Sequence, residues 1–168
     1  PGRPSGLFTV RLQPFAFRLP LAQTRNHFIV LIRPASVVWW PRPARWGPVR
    51  EPSMEEKIPL SVEIITKNEA VNLPGCLESV AFANQIVVVD SGSDDGTPEI
   101  ARGFGCEVFS EPWKGFGAQK QAAIDRCREP WVLVLDADER IPPETQAAIR
   151  AVIAAGEGAA TGYSFPRK

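Results

Sequence analysis

Residues 85–104, QIVVVDSGSDDGTPEIARGF, hold the transition that decides the fold. Gln85 to Asp90 is a near-continuous β-branched run, the pattern of a strand covered on both faces. The run stops at Asp90. The next six residues are only Ser, Gly and Asp, which favour a tight turn because their side chains bond nearby backbone or, for glycine, tolerate positive φ. Thr97 is then expected to cap a short helix, with Pro98 at its first position and Glu99 in its first turn, where negative charge suits the helix dipole. A buried strand passing through such a turn into a helix is half of a strand–helix–strand unit.

The same alternation extends in both directions. Upstream, PLSVEIIT (59–66) predicts a strand, and NLPGCLESVAF (72–82) a helix with Asn72 at the N-cap and Pro74 in the first turn. Downstream, CEVFS (106–110), WVLVLD (131–136) and TGYSFP (161–166) read as strands, with FGAQKQAAIDRC (116–127) and ETQAAIRAVIAA (144–155) as helices. The expected fold is α/β, a mainly parallel sheet flanked by helices. Ligands of such sheets bind outside the carboxyl ends of the strands.

Those ends are acidic. The first strand runs into Asn68 and Glu69, the second into Asp90, Asp94 and Asp95, and WVLVLD into the DADE of residues 136–139. Clustered carboxylates repel one another unless a cation or a donor-rich ligand sits among them. Mg²⁺ or Mn²⁺, held by one or two carboxylates and the oxygens of a bound phosphate, would meet that need. Asp94 and Asp95 equally suit a plain turn, and Asp138 or Glu139 the start of a helix. Asp90 and Asp136 fit that explanation less well, because each follows an uninterrupted apolar run.

Taken in order, SVEIITKNEAVNLPGCLESV, IVVVDSGSDDGT, GFGAQKQAAI and WVLVLDADE resemble the nucleotide-sugar-binding half of the inverting family 2 glycosyltransferases, whose fold is the Rossmann-like GT-A fold. Trp113 before KGFGAQKQ, the LDADERI form of the acidic motif and GYSFPRK most resemble the lipopolysaccharide-core β-glucosyltransferase branch. The resemblance covers about residues 58–168. It implies that Glu69 and Asp90 contact the nucleoside, that Lys120 complements the diphosphate and that Asp136 approaches the ribose. Asp138 would coordinate the Mn²⁺ or Mg²⁺ that bridges the phosphates. The implied donor is a UDP-sugar and the acceptor a glycan or lipid-linked sugar, reached by in-line displacement with inversion. Such a reaction needs a general base; the resemblance puts it in a later motif, beyond Lys168, so the chain is expected to be the donor-binding part of a longer enzyme. Location at the inner face of the cytoplasmic membrane follows from the same branch.

Residues 1–53 differ in kind. They carry eight arginines against one acid, Glu51, for a charge of +7, while the remainder, with 11 Lys+Arg and 18 Asp+Glu, is −7. Nine of the 17 prolines fall there, a density that breaks helix and strand, so an unstructured or non-native extension is expected. It is either an Arg/Trp-rich segment for an anionic membrane surface or sequence upstream of a start at Met54. HFIVLIRPASVVWW (27–40) is interrupted by Arg33 and Pro34 and is shorter than the roughly 20 residues a membrane span needs. Cys76, Cys106 and Cys127 have no CxxC spacing and suggest neither zinc nor a disulfide framework. Two rival functions share the motifs: a catalytically incomplete nucleotide-sugar-binding fragment, and a haloacid-dehalogenase-like phosphatase using Asp136 and Asp138. Nucleic-acid binding is not expected, because the folded part is net acidic.

Overall fold

The structure is a computed structural model, and it describes residues 8–9, 28–33, 56–155 and 162–166. In chain order these form β1 (Phe8–Thr9), β2 (Phe28–Ile32), β3 (Ile58–Thr66), α1 (Leu73–Ser79), β4 (Ala83–Asp90), α2 (Thr97–Gly103), β5 (Glu107–Ser110), α3 (Phe116–Ile124), β6 (Trp131–Asp136), α4 (Pro143–Ala155) and β7 (Gly162–Pro166). All strands join one sheet in the order β1-β7-β2-β6-β3-β4-β5. The expected parallel sheet is present in β6-β3-β4-β5, where Glu63 of β3 is in register with Val87 of β4 and Val134 of β6. Beyond β6 the ladders are antiparallel, so the whole sheet is mixed.

Side-chain alternation along β3 sorts the two layers. Leu60, Val62 and Ile64 face the main core, with Leu73, Cys76 and Leu77 of α1, Ala101 of α2, Ile149 and Ile153 of α4, and Leu133 and Leu135 of β6. Ile65 lies on the opposite face among Val87, Val89, Ala123 of α3 and Phe109. Ser61 and Glu63 share that parity. Each fully buried Leu, Ile or Val contributes on the order of 1.5–3 kcal/mol, so the larger layer carries most of the stability. At the foot of the sheet Gln85 is an internal tie. Its Oε1 accepts from Ser61 Oγ at 2.5 Å and from the Arg128 N–H at 2.9 Å, and its Nε2 donates to the Arg126 carbonyl at 3.1 Å.

Some local expectations are corrected. Thr97 does not cap α2; that position is Gly96, at φ 87°, where a Cβ would be strained, and the Thr97 hydroxyl is used between loops instead. Asn72 stands at the start of α1, but its amide donates to Glu69 Oε2 at 3.0 Å instead of capping the helix.

Most of residues 1–53 lie outside the described residues. Phe28–Ile32, however, is a strand between β6 and β7, with Leu31 and Ile32 buried. An unstructured extension is therefore not an adequate description of that stretch. FIVLI is free of proline and wholly apolar, and pairing with β6 covers an edge that would otherwise expose its backbone donors and acceptors. All three cysteines are free thiols, and burial pushes that of Cys76 up to about 12.

Candidate functional site

Four strand ends form one rim: Thr66, Asp90, Ser110 and Asp136. From β3 the chain proceeds to β4 and β5 on one side and returns to place β6 on the other. The crevice between the ends of β3 and β6 is thus the topological switch point, the position where open α/β sheets take ligands.

Asp136 and Lys120 meet there. Lys120, on α3, places Nζ 2.6 Å from Asp136 Oδ1, and its side chain is only 12% exposed whereas that of Asp136 is 39% exposed. A cation reaching the rim from beneath, paired with a more open carboxylate, can receive an anion without leaving its stem in water. The turn after Asp136 is closed on itself: the Asp136 N–H donates to Glu139 Oε2 at 2.9 Å, and the Glu139 N–H to the Asp136 carbonyl at 3.0 Å. Arg140 then donates to the Asn72 carbonyl at 2.7 Å, and the Ile141 N–H to Ser79 Oγ at 3.0 Å, fastening the turn to α1. Gly75 makes room for this, since a Cβ there would lie 2.5 Å from Arg140 Nε. Asp138 is exposed at the tip of that turn.

The loops after β3 and β4 are laced together. Asp90, 2% exposed, accepts from Thr66 Oγ1 at 3.0 Å, Ser93 Oγ at 2.5 Å, the Gly92 N–H at 3.0 Å and the Ser93 N–H at 2.9 Å. Four donors fill the carboxylate, so in this conformation Asp90 organises its own loop. Across the gap, the Asn68 N–H donates to Ser93 Oγ, the Asp94 N–H to Asn68 Oδ1, the Glu69 N–H to Thr97 Oγ1 and the Ala70 N–H to Asp95 Oδ2. The Thr97 hydroxyl and the Ala70 N–H hold the Asp95 carboxyl below its ordinary range. Asn68 adopts the left-handed conformation, φ 57°, that lets its side chain turn back to this loop.

Of the residues singled out from sequence, Lys120 and Asp136 pair on the β6 side of the crevice, and Asp138 stands exposed on the turn that follows Asp136. Glu69 and Asp90 belong to the laced loops beside it. The acidic rim is also less repulsive than its sequence suggests, because backbone N–H groups, hydroxyls and Lys120 supply the donors. Glu139 as a clamp, Arg140 as a tether and Glu63 as a buried carboxyl without a hydrogen-bond partner were not singled out. Glu63 was visible as the one acid inside an apolar strand; the roles of Glu139 and Arg140 depend on contacts with distant α1 and left no local signal.

Among the described residues no three His, Cys, Asp or Glu side chains gather closely enough to hold a metal. An exposed Asp138 with Asp136 two residues before it is a sparse oxygen site. That donor set fits Mg²⁺ or Mn²⁺ whose coordination is completed by phosphate oxygens. No helix among the described residues is long and apolar enough to cross a membrane.

Residues 61–167 match the family described as Glycosyl transferase family 2. A lipopolysaccharide core biosynthesis glycosyltransferase, LpsC, of Rhizobium meliloti (strain 1021) is 38% identical over 109 residues, covering 62% of this chain and 40% of that protein. An uncharacterized glycosyltransferase of Rickettsia conorii is 41% identical over 103 residues, 61% of this chain and 36% of its own length. Among solved structures, S. aureus TarS aligns with a TM-score of 0.49 at 27% identity, over 57% of this chain and 19% of that one. The chain spans two fifths or less of the two curated relatives named here. With its parallel core, its acidic strand ends and a family match over most of its length, the chain belongs to glycosyltransferase family 2, and its α/β sheet is of the GT-A type.

Proposed function

We propose that this chain is the donor-binding part of an inverting glycosyltransferase that takes a sugar from a nucleoside diphosphate, a UDP-hexose, to a glycan or lipopolysaccharide-core acceptor. The observation that carries the reading is the Lys120–Asp136 pair at the switch point, with exposed Asp138 on the same turn. Lys120 offers its ammonium to the diphosphate, Asp136 accepts from ribose hydroxyls, and Asp138 holds Mn²⁺ or Mg²⁺. Glu69 lies on the loop that would border the nucleoside, and Asp90 fixes that loop's shape. The bound metal would neutralise charge on the departing diphosphate. The clamp from Glu139 and the tether from Arg140 hold the turn so that Asp138 needs little reordering on binding.

Displacement at the anomeric carbon would also need a base on the acceptor side, and no described residue is assigned to it. Membership of the family sets aside the phosphatase alternative. Work at the cytoplasmic face of the inner membrane, with peripheral association, belongs to the same proposal and is supported by the LpsC relative.

Calorimetry with UDP in the presence and absence of Mn²⁺ tests the site. Asp138→Asn is expected to weaken the metal-dependent part of the affinity by about tenfold or more, from loss of one charged ligand. Affinity and metal dependence equal to wild type would refute the assignment of Asp138.

A further inference from the structure

Glu63 is used by nothing described above. It sits in the middle of β3, is fully buried, and neither carboxyl oxygen has a hydrogen-bond partner. Its sheet neighbours are Val87 and Val134, and Ile65, two residues on along the same face, packs against the cluster of Val87, Val89 and Ala123 of α3. A carboxyl in such a layer is expensive when ionised and is driven toward its neutral form. The titratable groups that face it are Lys120 from α3, Asp136 from β6 and Cys127 just past α3; β4 contributes only Val87. Lys120 favours its charge, Asp136 opposes it, and burial outweighs both, raising the carboxyl to about 8.

Lys120 therefore feels two carboxyls of different kinds. One, Asp136, is at the rim and paired with it at 2.6 Å. The other is underneath, in the apolar layer, and becomes a competing anion only when its proton leaves.

We propose that Glu63 is a positioning residue that makes anion capture by Lys120 depend on a proton. This rests on the reading of Lys120 as the counter-charge for a diphosphate. With Glu63 neutral, the ammonium is drawn only outward, to Asp136 and to an arriving diphosphate. With Glu63 ionised, the same ammonium is drawn inward, and the ligand's negative charge meets a second buried one. Binding a diphosphate must then return the proton to Glu63. The sign follows from linkage: the bound state holds more protons than the free state once Glu63 has ionised, so affinity falls as pH rises past that point, by up to about tenfold per pH unit for one proton.

The test uses the full 168-residue chain, with Glu63→Gln beside wild type. UDP with Mg²⁺ is titrated calorimetrically between pH 6.5 and 9.5 in two buffers of different ionisation enthalpy, and carboxyl carbons are followed by NMR in the ligand-free proteins. The expected result is a glutamate signal, absent from the variant, that titrates near pH 8. The ratio of wild-type to variant Kd should grow about tenfold from pH 7 to 9, with proton uptake in wild type alone. Ionisation of UDP or of metal-bound water affects both proteins and cancels in that ratio. If Glu63→Gln does not fold, Glu63→Leu removes the charge with an apolar side chain and must give the same ratio. Parallel pH profiles, or a Glu63 signal titrating near about 4.3, the ordinary glutamate value, overturn the inference and leave nucleotide binding standing. Absence of UDP binding by both proteins at every pH overturns the nucleotide reading and this inference with it.

Discussion

Glu63 and Asp90 are both buried carboxyls of adjacent strands, yet they have opposite surroundings. Asp90 is met by four donors, whereas Glu63 has apolar neighbours and no hydrogen bond. Removing the Asp90 carboxylate would strand those donors. Asp90→Ala is expected to cost about 3 kcal/mol in urea unfolding, and Asp90→Asn less, because one acceptor oxygen remains. Equal midpoints for wild type and Asp90→Ala would show that the loop does not depend on it. Glu63 should behave in the reverse sense. Its pKa is raised from 4.5 to about 8 on folding, chiefly by burial, so between these values the native state holds a proton that the unfolded state has lost. Stability must fall as pH rises through that window and level off above about 8, by roughly 3–5 kcal/mol in all. Glu63→Leu is expected to lack this decline and to exceed wild type most at pH 8.5; the two urea midpoints compared at pH 5 and 8.5 would reveal it. A decline of the same size in both proteins would assign the pH dependence to other groups.

At the scale of elements, the strand–turn–helix units set out in the sequence correspond closely to the structure. WVLVLD is β6 without a shift, and the other expected elements differ by a few residues at their ends. Ends differ because local contacts there compete: Thr97 serves Asp95 and Glu69 instead of capping α2, and α1 ends at Ser79, before the apolar VAF that the helical reading included. The strand β2 was the larger departure. Proline density in its surroundings argued against structure, but five apolar residues without proline are sufficient when a partner strand supplies the hydrogen bonds. Leu31 is fully buried in the main core, so Leu31→Asp should lower stability by about 3 kcal/mol or more, through a charge without a partner. An unchanged thermal melt would show that β2 contributes nothing to the fold in solution.

For the whole molecule, the decisive feature is the reversal of strand order at β3, which puts Asp136 beside the end of the first strand of the parallel core. The sequence by itself determined the alternation of buried strands and helices, the acidic strand ends and the glycosyltransferase resemblance, because these depend on local periodicity, turn chemistry and motif order. It also placed Lys120, Asp136 and Asp138 among the residues of interest. Only the tertiary structure decided which acids are already satisfied and which remain open. Asp90 is filled by donors from Thr66, Gly92 and Ser93, Asp136 has taken Lys120 from a helix 16 residues away, and Glu63 has been left in an apolar layer beneath them. The physical reason is that a carboxylate's chemistry is set by its donors, nearby charges and depth from water. Those quantities exist only once β3, β4, β6 and α3 have packed.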